Sequence, residues 1–530
     1  YLALLGALGS SVVALGADRF PFLLRYGASA LLGVSGLAAV AAGASALLAE
    51  TATTDGLPLG LPWLTWHLRL DPLSGFFLAV VGLLVAVIAL YAPGYLREFV
   101  HGKGKQPLAP LGLFTGLFVF GMMLVLLADD AFVFMIAWEL MSVSSYFLVA
   151  YQHQHAANRR AAFLYLLMAH IGGLAILLGF GVLAGFGDGF TFAAMRAAEL
   201  SPAWASIAFA FAFFGFGMKA GMVPVHAWLP EAHPAAPSHI SALMSGVMLK
   251  VALYGLIRFT YDLLGDIQWQ WGLAVLILGA SSALLGVLYA LMQHNLKRLL
   301  AYHSVENIGI ILMGLGLSMI FLSQGHTTVG MLGLVAALYH TLNHALFKGL
   351  LFLGAGAISH VTHENDLNNM GGLIKRMPQT AAFFLVGCLA ISGLPPLNGF
   401  VSEWLTFQVA LQAPVIESGV LRAIIPVTAA MLALAAALAA ACFVKVYGVA
   451  FLGEPRSRSV SHAREVDIGM RAAMGILAIL CVLFGIFPTT VIGVLDAVPQ
   501  MLVGHGPPNL TAQGWLWLTP VSPRVASYSA

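Results

Sequence analysis

Six charged side chains lie inside segments that are otherwise apolar, and their types fit the carriage of protons or ions. They are Lys219, Lys250, Lys348, Lys445, Glu139 and Glu403. A charge near the centre of a bilayer costs roughly 3 kcal/mol or more, so it is seldom kept without a function. Because the six are well separated along the chain, they indicate a path across a membrane.

Histidines extend this path. His340, His344 and Lys348 are spaced by four residues, which places them on one face of a helix. Three interpretations are open for the histidines: a proton relay, structural hydrogen bonding in a packed core, and a metal-binding pair. The metal pair lacks a nearby carboxylate ligand. We favour the relay because histidine titrates near neutral pH and Lys348 continues the stripe.

Other candidates have competing explanations. His303 and Glu306 have i, i+3 spacing, and Glu306 fits either a proton entry path or a structural partner. Lys445 lies near the end of its apolar segment, so its ammonium could instead extend to the membrane surface. Glu139 could in the same way reach headgroups from a helix end, but its central position in its segment favours a function.

A third group of polar residues favours local structure. His226, His233 and His239 fall in or beside residues 224–238, which hold four prolines. They could bind zinc, but a loop between two helices is the favoured interpretation, with proton entry as a second option. Asp71 precedes Pro72 and is predicted to cap a helix.

The composition fixes the class of protein. The chain has 530 residues, of which 60% are hydrophobic and 9% charged, so it is predicted to be a polytopic membrane protein. A net charge of +2 gives no reason to expect nucleic acid as a partner. Its three cysteines are far apart and form no CxxC motif, so we expect no metal and no cofactor site in this chain.

A helix needs about 20 apolar residues to cross a bilayer, and on that measure the chain is an all-α protein with about fourteen transmembrane helices. The first is predicted to start before Tyr1 and not to be a signal peptide. The predicted spans are roughly 1–16, 21–49, 73–92, 111–127, 130–150, 161–186, 203–222, 238–260, 271–292, 302–323, 328–357, 380–411, 423–452 and 469–496.

Two spans carry helix-breaking residues at similar places. Gly221 and Pro224 interrupt the seventh span, and Pro395 and Pro396 interrupt the twelfth. Paired breaks of this kind are typical of transporters built from inverted repeats. The sequence therefore predicts two inverted five-helix repeats, at 111–260 and 261–452, preceded by three helices at 1–110 and followed by the last helix and tail at 453–530.

The distribution of basic residues predicts the orientation. The even-numbered loops hold only Arg69, Arg196, Arg258 and Arg422, while the odd-numbered loops hold most of the remaining lysines and arginines. The positive-inside rule therefore places the odd-numbered loops in the cytoplasm and both termini on the outer side of the inner (cytoplasmic) membrane.

Five segments carry a resemblance to a known family. They are residues 138–146 (WELMSVSSY), 219–249 (KAGMVPVHAWLPEAHPAAPSHISALMSGVML), 296–312 (LKRLLAYHSVENIGIIL), 344–355 (HALFKGLLFLGA) and 391–404 (ISGLPPLNGFVSEW). The chain resembles the antiporter-like membrane subunits of the complex I and Mrp superfamily, and most of all those of the hydrogenase-4 and formate hydrogenlyase complexes.

The resemblance implies proton translocation driven by a redox module in other subunits. Glu139, Lys219, Lys250, Lys348 and Glu403 match the family's key positions. Iron–sulfur and nickel–iron centres are then expected in partner chains, and other membrane-arm subunits, the lipid bilayer and a peripheral redox module are the expected partners. The tail after residue 497 is expected to lack the lateral helix of the distal complex I subunit.

Two alternatives from other classes stay open. One is a subunit of a multisubunit Mrp-type sodium/proton antiporter without a redox partner. The other is a pump fold retained as a structural anchor or as a carbon-concentrating partner, in which the buried charges no longer carry protons.

Overall fold

The structure, a computed structural model, describes residues 1–49, 52–62, 64–101, 107–504, 517–518 and 528–529. Most of them are helical. The main helices are α1 (Leu2–Ala14), α2 (Leu23–Ala49), α3 (Pro72–Phe99), α4 (Leu108–Leu127), α5 (Ala131–Val149), α6 (Ala156–Phe186), α7 (Pro202–Ala220), α8 (Ser238–Leu263), α9 (Trp269–Leu291), α10 (Leu296–Ser323), α11 (Thr327–Thr362), α12 (Pro378–Ile391), α13 (Asn398–Ala410), α14 (Gly419–Phe451) and α15 (Ile468–Ile486).

Short elements connect or follow these helices. The short helices are Phe192–Arg196, Leu229–Ala235, Arg458–Ser461, Pro488–Leu495 and Ala497–Val503, and the 3-10 turns are Leu367–Asn369, Leu373–Lys375 and Ala413–Val415. The strands are β1 (Thr53–Leu61), β2 (Leu64–Leu70), β3 (Trp517–Leu518) and β4 (Tyr528–Ser529).

The helices confirm a polytopic membrane protein. Among the described residues, 12 helices are long and apolar enough to cross a membrane, and they correspond to predicted spans two to eleven, thirteen and fourteen. The first predicted span is the 13-residue α1, which is shorter. The twelfth is the pair α12 and α13 on either side of a break. The number fourteen itself stays a prediction.

One segment departs from the all-helical prediction. Strands β1 and β2 pair as an antiparallel hairpin, with an irregularity between Leu57 and Gly60. The sequence carried a signal for this, since β2 reads LTWHLRL and alternates apolar with polar residues as a strand does. The general hydropathy of the chain obscured that short alternation.

Contacts divide the chain into two units. Unit 1 consists of Tyr1–Gly221 and Val225–Asp266, and unit 2 consists of Met222–Pro224 and Ile267–Ala530. The four-part division drawn from the sequence stays a prediction. Its boundary between the two repeats lies at 260/261, near the point where unit 1 ends.

In unit 1 the even-numbered loops meet. The Asp129 N–H donates to His67 O of the hairpin at 2.9 Å, and the Phe192 N–H donates to Asp129 O at 2.9 Å. These bonds join the connections between α2 and α3, α4 and α5, and α6 and α7. Loops that meet at one end of the unit are what alternating spans require.

In unit 2 the odd-numbered loops meet in the same way. The Leu296 N–H donates to Asn365 O and the Leu367 N–H donates to His294 O, both at 2.9 Å. The Gly372 N–H donates to Leu452 O, which adds the connection after α14. The connections after α9, α11 and α14 therefore lie together at one end of unit 2.

Both predicted breaks contain a glycine with left-handed backbone. Gly221 ends α7 with φ 83°, and Gly393 follows α12 with φ 60°. Glycine adopts such conformations without the steric cost that a Cβ brings. Each break also holds one cis proline bond, at Val223-Pro224 and Pro395-Pro396. The seventh span thus ends at Ala220, and the helix Leu229–Ala235 occupies part of the segment that the sequence predicted as a loop.

Helices α9 and α10 are held together by glycines. Methyl groups at Gly272, Gly279 and Gly286 would lie within 3 Å of the α10 backbone, and the one at Gly286 would lie 2.6 Å from Glu306 N. Small residues allow helices in membranes to approach closely. This contact fixes the backbone of Glu306, a candidate pathway residue.

The tail expected to lack a lateral helix lies largely outside the described residues.

Candidate functional site

The first polar cluster surrounds Lys219 in unit 1. Lys219 stands at the end of α7, beside the Gly221 break, and is 2% exposed. Its ammonium donates to Tyr165 OH at 2.7 Å and to Ser142 Oγ at 2.9 Å. Tyr165 OH is in turn 2.6 Å from Ser145 Oγ. A buried cation is therefore held directly by neutral hydroxyl groups that can donate and accept protons.

Glu139 lies near this cluster but faces a different partner. Its carboxylate is 3.6 Å from His170 Nε2 of α6, with 37% of the Glu139 side chain and 50% of the His170 side chain exposed. Gly173 admits the carboxylate, since a methyl group there would meet Glu139 Oε1 at 2.6 Å. Glu139 and Ser142 have i, i+3 spacing on α5, so the carboxylate shares one helix face with Ser142, one of the two hydroxyl partners of Lys219.

Lys250 is fully buried in α8. Its ammonium donates to the carbonyl of Ser245 at 2.6 Å. Ser245 lies in a π-helical stretch, Met244–Met248, and a second such stretch, Arg258–Leu263, ends α8. Such π-bulges change the direction of side chains and carbonyls and are common at functional sites. The first stretch includes two small residues, Ser245 and Gly246.

The second polar cluster is a chain of side chains in unit 2. His303 Nδ1 pairs with Glu306 Oε2 on α10, and Asn307 Nδ2 donates to His303 O at 2.8 Å. Asn307 Oδ1 is 3.1 Å from His340 Nε2, and His340 Nδ1 is 2.9 Å from Ser402 Oγ. The hydrogen bonds thus run from α10 across α11 to α13.

The chain ends beside the broken helix. Asn343 donates to Ser402 Oγ at 3.0 Å and to Asn398 O at 2.8 Å, and Asn398 Nδ2 donates back to Asn343 Oδ1 at 3.1 Å. Asn398 begins α13, directly after the break. All three side chains are fully buried. Their hydrogen bonds tie α11 to the start of α13.

The remaining unit 2 candidates border this chain. Lys348 is fully buried and donates to Leu300 O of α10. Glu403 is 7% exposed and packs against the Gly393 break, where a methyl group would meet its Oε2 at 2.7 Å. His344 is fully buried against the ring of Phe347. Lys445 is half-buried and donates to Leu291 O at 2.7 Å.

The three histidines in and beside residues 224–238 lie in different local environments. His233 is buried in the short helix Leu229–Ala235, and His239 is buried in α8 against Tyr95. His226 lies in the bend before that helix. Across the described residues, no group of three or more His, Cys, Asp and Glu side chains is arranged to hold a metal ion.

The sequence reasoning missed several partners. His170 is titratable and lies within the sixth apolar span, which was a usable signal. Ser142 and Ser402 lie beside recognised charges, one turn after Glu139 and one residue before Glu403. Tyr165 carried no signal, because a tyrosine in an apolar helix is usually a packing residue.

A buried ion-pair network at the even-loop end of unit 1 was also missed. Arg258 donates to Asp71 Oδ1 at 2.7 Å and to Asp262 Oδ2 at 3.0 Å. Arg69 donates to Asp71 Oδ2 at 2.9 Å, and Arg196 makes two bonds of 2.8 Å to Asp262. Three of the four basic residues assigned to the even-numbered loops are therefore neutralised within the fold, and Arg258 lies inside α8 and not in a loop.

The network shifts the carboxyl groups that lie outside the spans. Burial by itself would raise the pKa of Asp71, but the Arg258 guanidinium, the Ser74 N–H and Arg69 outweigh it and hold that pKa well below its usual range. Asp71 also caps α3 as predicted, accepting the Ser74 N–H at 2.9 Å. Burial raises the pKa of Asp129, against the attraction of Arg196, Arg69 and Arg258.

Known proteins are similar to this chain in sequence or in fold. Hydrogenase-4 component B of Escherichia coli (strain K12) is 49% identical over 421 residues, which is 79% of this chain and 62% of that protein. Formate hydrogenlyase subunit 3 of the same organism is 34% identical over 467 residues, 88% of this chain and 73% of that protein. This chain thus spans less than two thirds of the length of hydrogenase-4 component B.

A solved structure gives the same architecture. A chain of the Mrp complex from Dietzia sp. DQ12-45-1b superposes with a TM-score of 0.78 at 23% identity, covering 94% of this chain and 97% of that one. That likeness concerns the fold alone. Residues 128–441, more than half of this chain, match the family described as NADH:quinone oxidoreductase/Mrp antiporter, TM. The chain belongs to the family of membrane subunits shared by NADH:quinone oxidoreductases and Mrp antiporters.

Proposed function

We propose that this chain is a proton-translocating, antiporter-like membrane subunit of a redox-driven assembly of the complex I or group 4 hydrogenase kind. The observation that carries the proposal is that each unit holds a buried lysine among groups able to exchange protons. In unit 1 these are Lys219 with Tyr165 and Ser142, and in unit 2 Lys348 lies near the Glu306–His340 chain. Buried ionisable groups in a membrane are costly and mark transport paths.

The switch in unit 1 is electrostatic. The Lys219 ammonium is bonded directly to neutral hydroxyls, so its charge depends on Glu139, which is near but bound to His170. A movement of the Glu139 carboxylate, or its protonation, alters the free energy of the charged lysine. Lys219 then releases or gains a proton through the Tyr165 and Ser145 hydroxyls.

The pathway uses the residues that the sequence singled out. We propose that protons enter from the cytoplasm near α8 and are carried by Lys219 and Lys250 in unit 1. In unit 2 they are carried by His340, His344, Lys348 and Glu403 before release to the outer side. His226, His303, Glu306 and Lys445 are secondary candidates, and Gly221, Pro224, Pro395 and Pro396 are the helix breaks that free backbone groups for this path.

The proposal includes partners and an orientation. Glu139 and His170 lie within membrane-spanning helices, yet 37% and 50% of their side chains are exposed. Ionisable side chains facing lipid would be costly, which supports coverage by another membrane subunit. The redox module, with iron–sulfur and nickel–iron centres, belongs to further chains. In this orientation the odd-numbered loops lie on the cytoplasmic side of the inner membrane, and both termini lie on its outer side.

A second candidate is a subunit of an Mrp-type cation/proton antiporter without a redox partner. It is favoured by the family match over residues 128–441, since the description of that family names Mrp antiporters beside NADH:quinone oxidoreductases. Such a protein would exchange sodium for protons under an imposed gradient. The buried lysines would serve the same purpose in both cases, so the partner subunits decide between the two.

One purification separates the candidates. The tagged chain is extracted from its membrane in mild detergent, and the co-purifying proteins are identified by mass spectrometry with iron and nickel analysis. Iron–sulfur proteins and a hydrogenase-like large subunit at stoichiometric amounts support the redox-driven pump. Small membrane subunits alone, without metal, together with sodium-dependent proton movement in reconstituted vesicles, would establish the antiporter instead.

A further inference from the structure

The hydroxyl group of Ser402 has more partners than it can satisfy with one proton. Its Oγ lies 2.9 Å from His340 Nδ1, 3.0 Å from Asn343 Nδ2 and 3.1 Å from Gly399 O. Ser402 and His340 are fully buried. A hydroxyl has one hydrogen to donate and two lone pairs with which to accept. Ser402 can therefore donate to only one of these partners at a time.

The orientation of the Asn343 amide is fixed by its hydrogen bonds to Asn398. Its amide nitrogen donates to Asn398 O at 2.8 Å, and its amide oxygen accepts from Asn398 Nδ2 at 3.1 Å. The amide is thereby oriented, and its second N–H is directed at Ser402 Oγ. One lone pair of Ser402 is therefore occupied in every state of the site.

Asn307 fixes the tautomer of His340. Asn307 Nδ2 donates to His303 O at 2.8 Å, which leaves Asn307 Oδ1 facing His340 Nε2 at 3.1 Å. An amide oxygen only accepts hydrogen bonds, so His340 Nε2 carries the hydrogen. In neutral His340 the other nitrogen, Nδ1, then carries a lone pair that accepts the Ser402 hydroxyl hydrogen.

Protonation of His340 reverses that bond. One proton is taken up at Nδ1, and the new N–H donates to Ser402 Oγ. With both lone pairs of Ser402 occupied, by Asn343 and His340, its own hydrogen turns to Gly399 O. Nothing leaves the serine, and its O–H only rotates. In the helix α13, Gly399 O is also the acceptor for the backbone N–H of Glu403, so the rotation reaches the turn that carries that carboxylate.

We propose that Ser402 is a positioning residue whose hydroxyl rotates between His340 and Gly399 O, and so couples the charge of His340 to the first turn of the second half of the broken helix. The inference rests on the proposed function only for its use in transport, since the hydrogen-bond switch itself follows from the geometry. Ser402 would act through His340 and Glu403 and carry no proton across the membrane by itself.

The helices packed against α11 carry other ionisable side chains. They are His303 and Glu306 on α10, Cys388 on α12, Glu403 on α13 and Cys481 on α15, with Tyr339, His344 and Lys348 on α11 itself. Their charges affect when His340 gains its proton. They do not affect which way the Ser402 hydrogen points in each state, because that depends on lone-pair occupancy.

The test is nitrogen NMR of the intact assembly in membranes, with ¹⁵N-histidine labels. The His340 signal is identified by its loss in His340→Gln. In the neutral state we expect Nδ1 of the native protein to show an accepted hydrogen bond, and in Ser402→Ala to move to the position of a free imidazole nitrogen. Ser402→Thr keeps the hydroxyl and should restore the native position. Ser318→Ala, which removes a fully buried hydroxyl on a different helix, α10, is the control.

Transport gives the second readout. Ser402→Ala should slow proton translocation about tenfold, the effect of losing roughly 1.4 kcal/mol of hydrogen bonding to a charged group, while Ser402→Thr retains it. If Ser402→Ala fails to assemble, Ser402→Cys provides the same comparison with a weak donor. An unchanged Nδ1 position in Ser402→Ala, or in Ser402→Cys where the alanine variant does not assemble, would overturn the switch. A native assembly that moves no protons but shows the predicted Nδ1 shifts would instead overturn the proposed function.

Discussion

The Lys219 ammonium donates a hydrogen bond of 2.7 Å to Tyr165 OH and also lies 4.8 Å from the centre of the Tyr165 ring. The same tyrosine therefore solvates the buried cation through its hydroxyl group. Tyr165 also lies 2.6 Å from Ser145 Oγ, which connects the lysine to a second hydroxyl on α5. This relationship makes Tyr165 a determinant of the lysine's charge.

Tyr165→Phe tests that role. The ring and its packing are kept, but the ammonium loses one of its two hydroxyl partners. Because a hydrogen bond to a charged group contributes about 1.5–3 kcal/mol, proton translocation should fall by about ten- to a hundredfold with assembly intact. The measurement is proton uptake into vesicles that contain the assembly. Tyr447→Phe, a partly exposed tyrosine on α14, is the matched control and should behave as native.

The Asp71–Arg258 pair should make stability depend on acidity. The pKa of Asp71 is lowered in the fold, so its stabilising contribution is complete above the ordinary carboxyl pKa of about 4 and is lost as the pH falls through the lowered folded value. Asp71→Asn leaves the buried Arg258 guanidinium with Asp262 as its remaining carboxylate partner, which should cost about 3 kcal/mol at neutral pH.

The measurement is the thermal midpoint of the detergent-solubilised assembly between pH 7 and pH 3.5. At pH 7 the native protein should have a higher thermal midpoint than Asp71→Asn. The difference between the two midpoints should narrow below pH 4. Glu454→Gln removes an exposed partner of Lys375 and serves as the control. A difference that is constant over this pH range would show that the carboxylate charge is not what stabilises the pair.

Gly286→Ala tests the contact that holds Glu306. The added methyl group would lie 2.6 Å from Glu306 N, so α9 and α10 must separate, at a cost of about 1–3 kcal/mol. Gly448→Ala on α14 meets nothing within 4 Å and should be neutral or slightly stabilising. Thermal midpoints and the amount of assembled protein compare the two. Equal stability in the two variants would contradict the close packing of α9 on α10.

Much of the architecture follows from composition alone. Long apolar runs predict the helices because a bilayer demands backbone hydrogen bonds within each segment, and Gly221 and Gly393 mark breaks because their φ values suit glycine. The β1–β2 hairpin was not predicted, since a short alternating strand is a weak signal within an apolar chain.

The candidate site was predictable in part. Lysines and glutamates in apolar runs are conspicuous because their burial is costly, whereas Ser402 and Tyr165 become significant only through what they touch. Arg258 was assigned to a loop because positive charges usually lie there. Its pairing with Asp71 depends on residues 187 positions apart in sequence, which no local pattern reveals.

The most direct test of the central claim is donor-driven proton movement in vesicles that contain the whole assembly, energised by the electron donor that the proposed redox subunits would oxidise. Lys219→Ala and Glu139→Gln should abolish acidification while electron transfer and subunit composition persist. Lys375→Ala, at a position 68% exposed, should acidify like the native protein. Native rates of acidification in Lys219→Ala would contradict the account.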